Sequence, residues 1–219
     1  MVQPIKTEDG SDSLFVPELN EHYHSTKGAL QESRHVFIEA GFNQIGKKVI
    51  SVFEVGLGTG LNALLTLNEA LQKNISVHYT SIERYPIAMN IVEKLNYAAL
   101  IDERLHEAFM LLHTSDWGAE TKINETFTFQ KVKGDLANWQ PDRMFDLIYF
   151  DAFGPDKQPE MWSEEIFSNL YQATNHNGIL TTYSAKGTVR RALQAVGFSV
   201  ERIPGPPGKN HMTRAVREV

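Results

Sequence analysis

Apolar and polar positions along this chain switch repeatedly between a period of two and a period near four. "KVISVFEV" is a β-branched apolar run that stops at "GLGTG", and reads as a buried strand entering a turn. "LNALLTLNEALQ" then puts Leu61, Leu64, Leu65, Asn68 and Leu71 on one helical face. "ISVHYTSIER" predicts a second strand, and "PIAMNIVEKLNY" a helix opened by Pro86 in its first turn. "LIDERLHEAFMLLHTSDWG" predicts a further helix, followed by loop to about residue 125. "TFTFQKVKGD" alternates as a strand, and "FDLIYFDAF" is an apolar strand bounded by Asp146 and Asp151. "SEEIFSNLYQAT" opens on a Ser-x-x-Glu-like cap and predicts a helix. "HNGILTTYS" reads as turn and strand, and "TVRRALQAVG" as a short helix closed by Gly197. "FSVERI" and "MTRAVREV" are the last two strands, joined by the loop "PGPPGKN".

Upstream, "HYHSTKGALQESRHVFIEAGF" carries Val36, Phe37 and Ala40 at helical spacing, while residues 1–20 read as a flexible N-terminus. Strands alternating with helices predict an α/β fold: a doubly wound, mostly parallel sheet formed by one domain over residues 21–219. No helix separates the final two strands, which predicts an antiparallel C-terminal hairpin. Such an ending fits a Rossmann-like S-adenosylmethionine-dependent methyltransferase and not a dehydrogenase domain.

Composition narrows the function. A net charge of −6 argues against indiscriminate nucleic-acid binding, though a local basic patch stays open. The absence of cysteine removes disulfides and thiolate metal sites, and fits a cytoplasmic protein. No apolar run reaches the ~20 residues a membrane helix needs, and no signal peptide is visible, so no membrane partner is expected.

"FEVGLGTGLN" places Gly56, Gly58 and Gly60 between strand and helix, where the backbone must turn tightly and approach a ligand closely. A dinucleotide fingerprint beginning at Gly56 fails at Leu61; beginning at Gly58 it passes weakly at Ala63. Glu54, two residues before Gly56, favours the ammonium of S-adenosylmethionine over a pyrophosphate. Glu83 ends the next strand, where an acid accepts from ribose hydroxyls, and Asp135 ends the third, where an adenine amine could bind. Their neighbours Asn62, Arg84 and Leu136 complete the candidate cofactor set. A nicotinamide cofactor and a plain turn remain the alternatives. His22 and His24 lack a partner pair with ligand spacing, so no metal is expected; a loop closing over the cofactor through Tyr23, Ser25 and Gly28 fits better.

"EVGLGTGLNAL", "SIERYP", "GDLANW", "FDAFGPDKQPEMW" and "TYSAKGTVRRALQAVGF" resemble, in order and spacing, the methyltransferase module of the MnmC family, as does the upstream "YHSTKGALQESRHVF". The likeness spans about residues 20–214, and the string D-A-F-x-P-x-K-x-P-x-M-W is its most specific part. The resemblance implies a Rossmann-like fold, S-adenosylmethionine as donor, and tRNA as substrate, methylated on the aminomethyl group of its wobble uridine. The family's second module is a flavin-dependent oxidase; this chain stops at Val219 without sequence for it, so no flavin is expected. That implies a stand-alone enzyme whose 5-aminomethyl uridine comes from a separate enzyme, or whose substrate differs.

In transfer of a methyl group to an amine, a carboxylate can position the ammonium and receive or relay its proton. Asp151, at the end of the fourth predicted strand and at the family's motif position, is the candidate; an Asp capping the "DAFGP" turn is the plainer alternative. Phe153 and Trp162 could stack on a flipped-out uridine, or serve as lid or core aromatics. Lys157, Lys186, Arg190, Arg191, Lys209 and Arg214 form a candidate phosphate-contacting set, with Lys157, Arg190 and Lys209 placed nearest the substrate. A small-amine transferase, as in spermidine-synthase-like relatives, and a binding module without turnover are the competing functions.

Overall fold

The computed structural model describes residues 2–218. The sheet strands are β1 (Gln3–Lys6), β2 (Asp12–Val16), β3 (Glu21–His22), β4 (Val49–Val55), β5 (Ser76–Glu83), β6 (Glu120–Lys122), β7 (Phe127–Lys133), β8 (Phe145–Phe150), β9 (Thr174–Thr182), β10 (Ser199–Pro204) and β11 (His211–Val216). Helices are α1 (Ala29–Ser33), α2 (Leu61–Lys73), α3 (Met89–Val92), α4 (Tyr97–Ile101), α5 (His106–Thr114), α6 (Glu164–Ala173) and α7 (Gly187–Ala195).

Eight strands form the main sheet in the order β10-β11-β9-β8-β4-β5-β7-β6. β4, β5, β7, β8 and β9 run parallel; β11 is antiparallel to both β9 and β10. The expected C-terminal hairpin is therefore present, with its second strand on the inside. From β4 the chain builds outward through β5 and β7, then returns to place β8 on β4's other side. That reversal opens a crevice at the carboxyl ends of β4 and β8, where ligands of open α/β sheets bind.

Each parallel strand is apolar on both faces because helices cover both. Ile50, Val52, Tyr79, Leu147 and Tyr149 pack toward α2 and α5, while Phe53, Val55, Ile148 and Phe150 pack toward α6 and α7. Ser163 caps α6 by accepting from the Ile166 N–H, as the opening of that segment predicts.

Four segments differ from the sequence expectation. The first twenty residues hold β1 and β2, which join β3 in an antiparallel sheet, rather than fraying. Several of their polar residues are partnered. Asp12 and Asn96 exchange backbone-to-side-chain hydrogen bonds of 2.9 and 3.0 Å, and Leu14 is fully buried. The helix expected after Pro86 is confined to α3 and α4, since Asn96 between them turns to meet Asp12. β6 occupies a stretch expected to be loop and covers the edge of β7. Finally, α1 widens into a π-helical stretch over Arg34–Glu39, which brings Val36, Phe37 and Ile38 all into the core.

Candidate active site

The crevice is a cavity of about 500 Å³ lined by the glycine loop, the ends of β5, β7 and β8, the β3–α1 segment and the loop before β11. Gly56 and Gly58 face it, and Gly58 has φ +51° with the Tyr23 ring 3.2 Å from where a Cβ would lie. Its N–H donates to Glu83 Oε2 at 3.0 Å, and the Tyr85 N–H donates to Oε1 at 2.7 Å. The Glu83 carboxylate is thus held at the base of the cavity by two backbone donors. Gly60 lies outside the lining; its φ of +77° turns the chain into α2, and a Cβ there would sit 2.6 Å from His113 Nε2.

Arg84 and Asp135 form a 2.7 Å ion pair at the mouth, where Asp135 Oδ1 also accepts from the Ala137 N–H. Leu136 is buried beside them in the lining. Ser25 lines the opposite wall. Gly28 does not: it packs against Asp9, whose Oδ2 would be 2.5 Å from a Cβ, so its smallness serves that contact.

Glu54, expected beside the cofactor, lies outside the cavity lining. Strand alternation points it, like Ile50 and Val52, under α2 rather than into the cavity, and it is fully buried. Oε2 accepts from Ser81 Oγ at 2.8 Å, while Oε1 has no partner. Burial pushes this carboxyl up to about 8, against the Ser81 hydroxyl and with the Asp151 charge adding to the rise. Burial therefore favours the neutral form of this carboxyl.

Asp151 follows the same parity as Leu147 and Tyr149 and lies in the cavity at the switch point. Asn62, in the first turn of α2, donates from Nδ2 to Asp151 Oδ2 at 2.8 Å. Burial pushes Asp151 up to about 8; the Asn62 amide opposes this, Glu32 adds to it, and Lys209 opposes it.

The residues expected at the substrate side divide. Phe153 lines the cavity and meets Tyr23 edge-on at 5.2 Å. Trp162 does not face it. Only 6% exposed, it packs edge-on to Phe150 at 4.8 Å, and its Nε1 donates to Phe153 O at 2.8 Å, so it is a core residue that supports the loop. Lys157 donates to Leu19 O and Asn20 O at 2.8 and 3.3 Å, clasping the β2–β3 turn rather than lining the cavity. Arg190 is half-buried on α7, outside the lining, with Nε unpartnered. Lys209 does line it, but turns inward to Glu32 at 2.7 Å and to the Tyr183 ring at 4.1 Å. Glu32 and Tyr183 escaped the sequence reading. Glu32 stands four positions before Val36, an acid on the apolar face of the expected helix, which was the available signal.

Residues 99–218 match a family described as S-adenosyl-L-methionine-dependent methyltransferase. The chain belongs to that family. The methyltransferase is 30% identical, over 97% of its length, to the tRNA 5-methylaminomethyl-2-thiouridine biosynthesis bifunctional protein MnmC of Cupriavidus metallidurans, of which it covers 33%. To the protein of the same name from Leptospira borgpetersenii it is 30% identical over 87% of the chain, covering 31% of that relative. It thus spans about a third of the length of the curated relatives it matches. A crystal structure of MnmC2 from Aquifex aeolicus superposes with TM-score 0.78 and 25% identity, covering 98% of this chain and 70% of that one. Spermidine synthase from Thermotoga maritima shares the fold, with TM-score 0.58 and 12% identity over 99% of this chain and 72% of that one.

The methyltransferase uses S-adenosyl-L-methionine, and the cavity fits it. A glycine cradle stands over an anchored carboxylate, with an apolar wall at Leu136 and room for a molecule of that size. Among the described residues, no cluster of three or more His, Asp or Glu could hold a metal, and no helix is long and apolar enough to cross a membrane.

Proposed function

We propose that this methyltransferase acts on tRNA, methylating the exocyclic amine of a 5-aminomethyl(-2-thio)uridine at the wobble position. The observation that carries this is the Asn62–Asp151 pair at the switch point, sharing one cavity with the glycine loop and Glu83. The likeness over 97% of the chain to proteins named for tRNA 5-methylaminomethyl-2-thiouridine biosynthesis supports the acceptor. A separate enzyme or domain supplies the free aminomethyl group in this reading, and the reaction takes place in the cytoplasm with the tRNA pool.

Glu83 would bind the donor's ribose hydroxyls, and Gly56 and Gly58 would let its methionine portion lie close to the backbone. Arg84 and Asp135 would border the adenine, with Leu136 beneath it, and Ser25 would close the other side. The bound donor supplies an electrophilic methyl group on a sulfonium. Asp151 holds the incoming ammonium, accepts its proton, and so frees the nitrogen lone pair to attack within about 3 Å of that methyl. Burial holds the Asp151 proton up to about 8; an entering cation stabilises the carboxylate and draws that value down. Phe153, with Tyr23 against its edge, would flank the base.

A second reading, a small polyamine-like acceptor, draws on one observation. Glu21, Glu32, Asp151 and Glu160 line the cavity, Lys157 and Arg190 lie outside it, and the cations that do line it, Lys209 and Arg84, are paired with Glu32 and Asp135. Mass spectrometry of tRNA nucleosides after incubation with methyl-labelled donor separates the two. Label on the wobble uridine, abolished by Asp151→Asn with donor binding intact, is the expected result; label only in a free polyamine would favour the second reading.

A further inference from the structure

Three segments distant in sequence bring opposite charges to the acceptor side of the cavity. Glu32 on α1 is 7% exposed; its Oε2 accepts from the Ser25 N–H at 2.7 Å and its Oε1 from the Lys209 ammonium at 2.7 Å. Lys209 comes from the loop between β10 and β11 and rests on the Tyr183 ring, 4.1 Å from its centroid. The Tyr183 hydroxyl donates to the Ala152 carbonyl at 2.8 Å, so the plate under Lys209 is fastened to the residue next to Asp151. An ion pair that only tethered a loop could sit on the surface, where water and salt weaken it to little. This one is inside the cavity, and both of its charges act on Asp151.

The other ionisable groups that interact with Asp151 are Glu54 from β4, Tyr79 from β5 and Tyr183 after β9, with Glu21 of β3 acting on Tyr183. Burial raises Glu54 and both tyrosines, favouring their neutral forms. Glu32 and Lys209 are the carboxylate and ammonium that act on Asp151 with opposite signs.

We propose that Glu32 and Lys209 are positioning residues that set, with opposite signs, how readily Asp151 takes the acceptor's proton. In that step an N–H proton moves from the acceptor ammonium to an Asp151 oxygen, and the nitrogen lone pair becomes free to form the new C–N bond. The inference rests on Asp151 as proton acceptor. It also reassigns Lys209 from phosphate contact to internal charge partner.

The two partners of one ion pair give opposite results when removed, which a purely structural bridge does not. Carboxyl NMR titration of Asp151 in the full chain, assigned by loss of its signal in Asp151→Asn, provides the direct readout. Glu32→Gln keeps an acceptor for the Ser25 N–H and should lower the midpoint, while Lys209→Met should raise it, each by about one pH unit. Lys209→Arg should restore the native value. The acid limb of kcat against pH should follow the same order. Midpoints that move in the same direction in both variants, or that do not move, overturn the proposal. An acid limb that survives Asp151→Asn instead overturns the reading of Asp151 itself; the carboxyl titration needs no acceptor and reports on the charge pair alone.

Discussion

Asn62 and Asp151, 89 positions apart, are joined by a 2.8 Å hydrogen bond that crosses from the first turn of α2 to the end of β8. The bond stabilises the ionised form of a carboxyl that burial, even with this bond in place, pushes up to about 8. Asn62→Leu should therefore raise the Asp151 value further and shift the acid limb of the rate profile to higher pH. Losing a hydrogen bond to a charged group costs about 1.5–3 kcal/mol, or roughly ten- to a hundred-fold in kcat/KM at pH 7. Part of that loss should return by pH 9. A pH-rate profile with an unmoved acid limb would contradict the role.

Glu83 holds two loop amides while facing the cavity, so its removal should be felt twice. Glu83→Ala should weaken S-adenosyl-L-methionine binding by about 1.5–3 kcal/mol, measured by calorimetry. It should also increase hydrogen exchange at the Gly58 and Tyr85 amides. Unchanged affinity would remove Glu83 from the cofactor site.

Glu54 makes a prediction about stability. Its folded value of about 8 lies above the model-compound 4.5, so the unfolded chain releases the proton first as pH rises. Stability tied to the protonated form is complete at low pH and is lost between about 4.5 and 8. Glu54→Gln abolishes that loss. Denaturant melts should show the variant close to wild type near pH 5 and ahead of it by on the order of 2 kcal/mol near pH 8. A constant difference across that range would mean Glu54 is ionised in the fold.

Trp162 distinguishes a core role from a substrate wall. Trp162→Ala should cost about 3–5 kcal/mol of stability, as large-to-small changes in cores do. Because Trp162 anchors the Phe153 carbonyl, acceptor KM should rise as a consequence. Reduced activity at native thermal stability would mean the ring meets the substrate instead.

How far the sequence could be read depended on how local each cause was. The glycine loop, Glu83 and Asp151 all follow from one rule, that a parallel strand ends where a ligand begins, and strand ends are visible as the end of an apolar run. Glu54 lay on the same strand as the loop, but its direction depended on parity against a helix not yet placed. Trp162 and Lys157 stood in the most specific motif of the chain, yet one partners a backbone carbonyl nine positions away and the other a turn 138 positions away. Asp12 and Asn96 show the same limit at the N-terminus: two ordinary polar residues whose mutual hydrogen bonds, 84 positions apart, order a segment that composition alone describes as frayed.

The position of β11 between β9 and β10 bears on how the molecule is made. A ribosome delivers β10 before the strand that pairs with it, so until residues 211–216 emerge, the nascent sheet ends at β9 with an open edge and β10 has no neighbour. Such edges invite pairing with other chains, and late, non-local closure is slow. The same closing event carries Lys209 to Glu32 across 177 positions. Arrival of β11 and completion of the acceptor wall are therefore one step, and a chain made only as far as β10 would have its glycine loop in place before it had any means of setting the charge at Asp151.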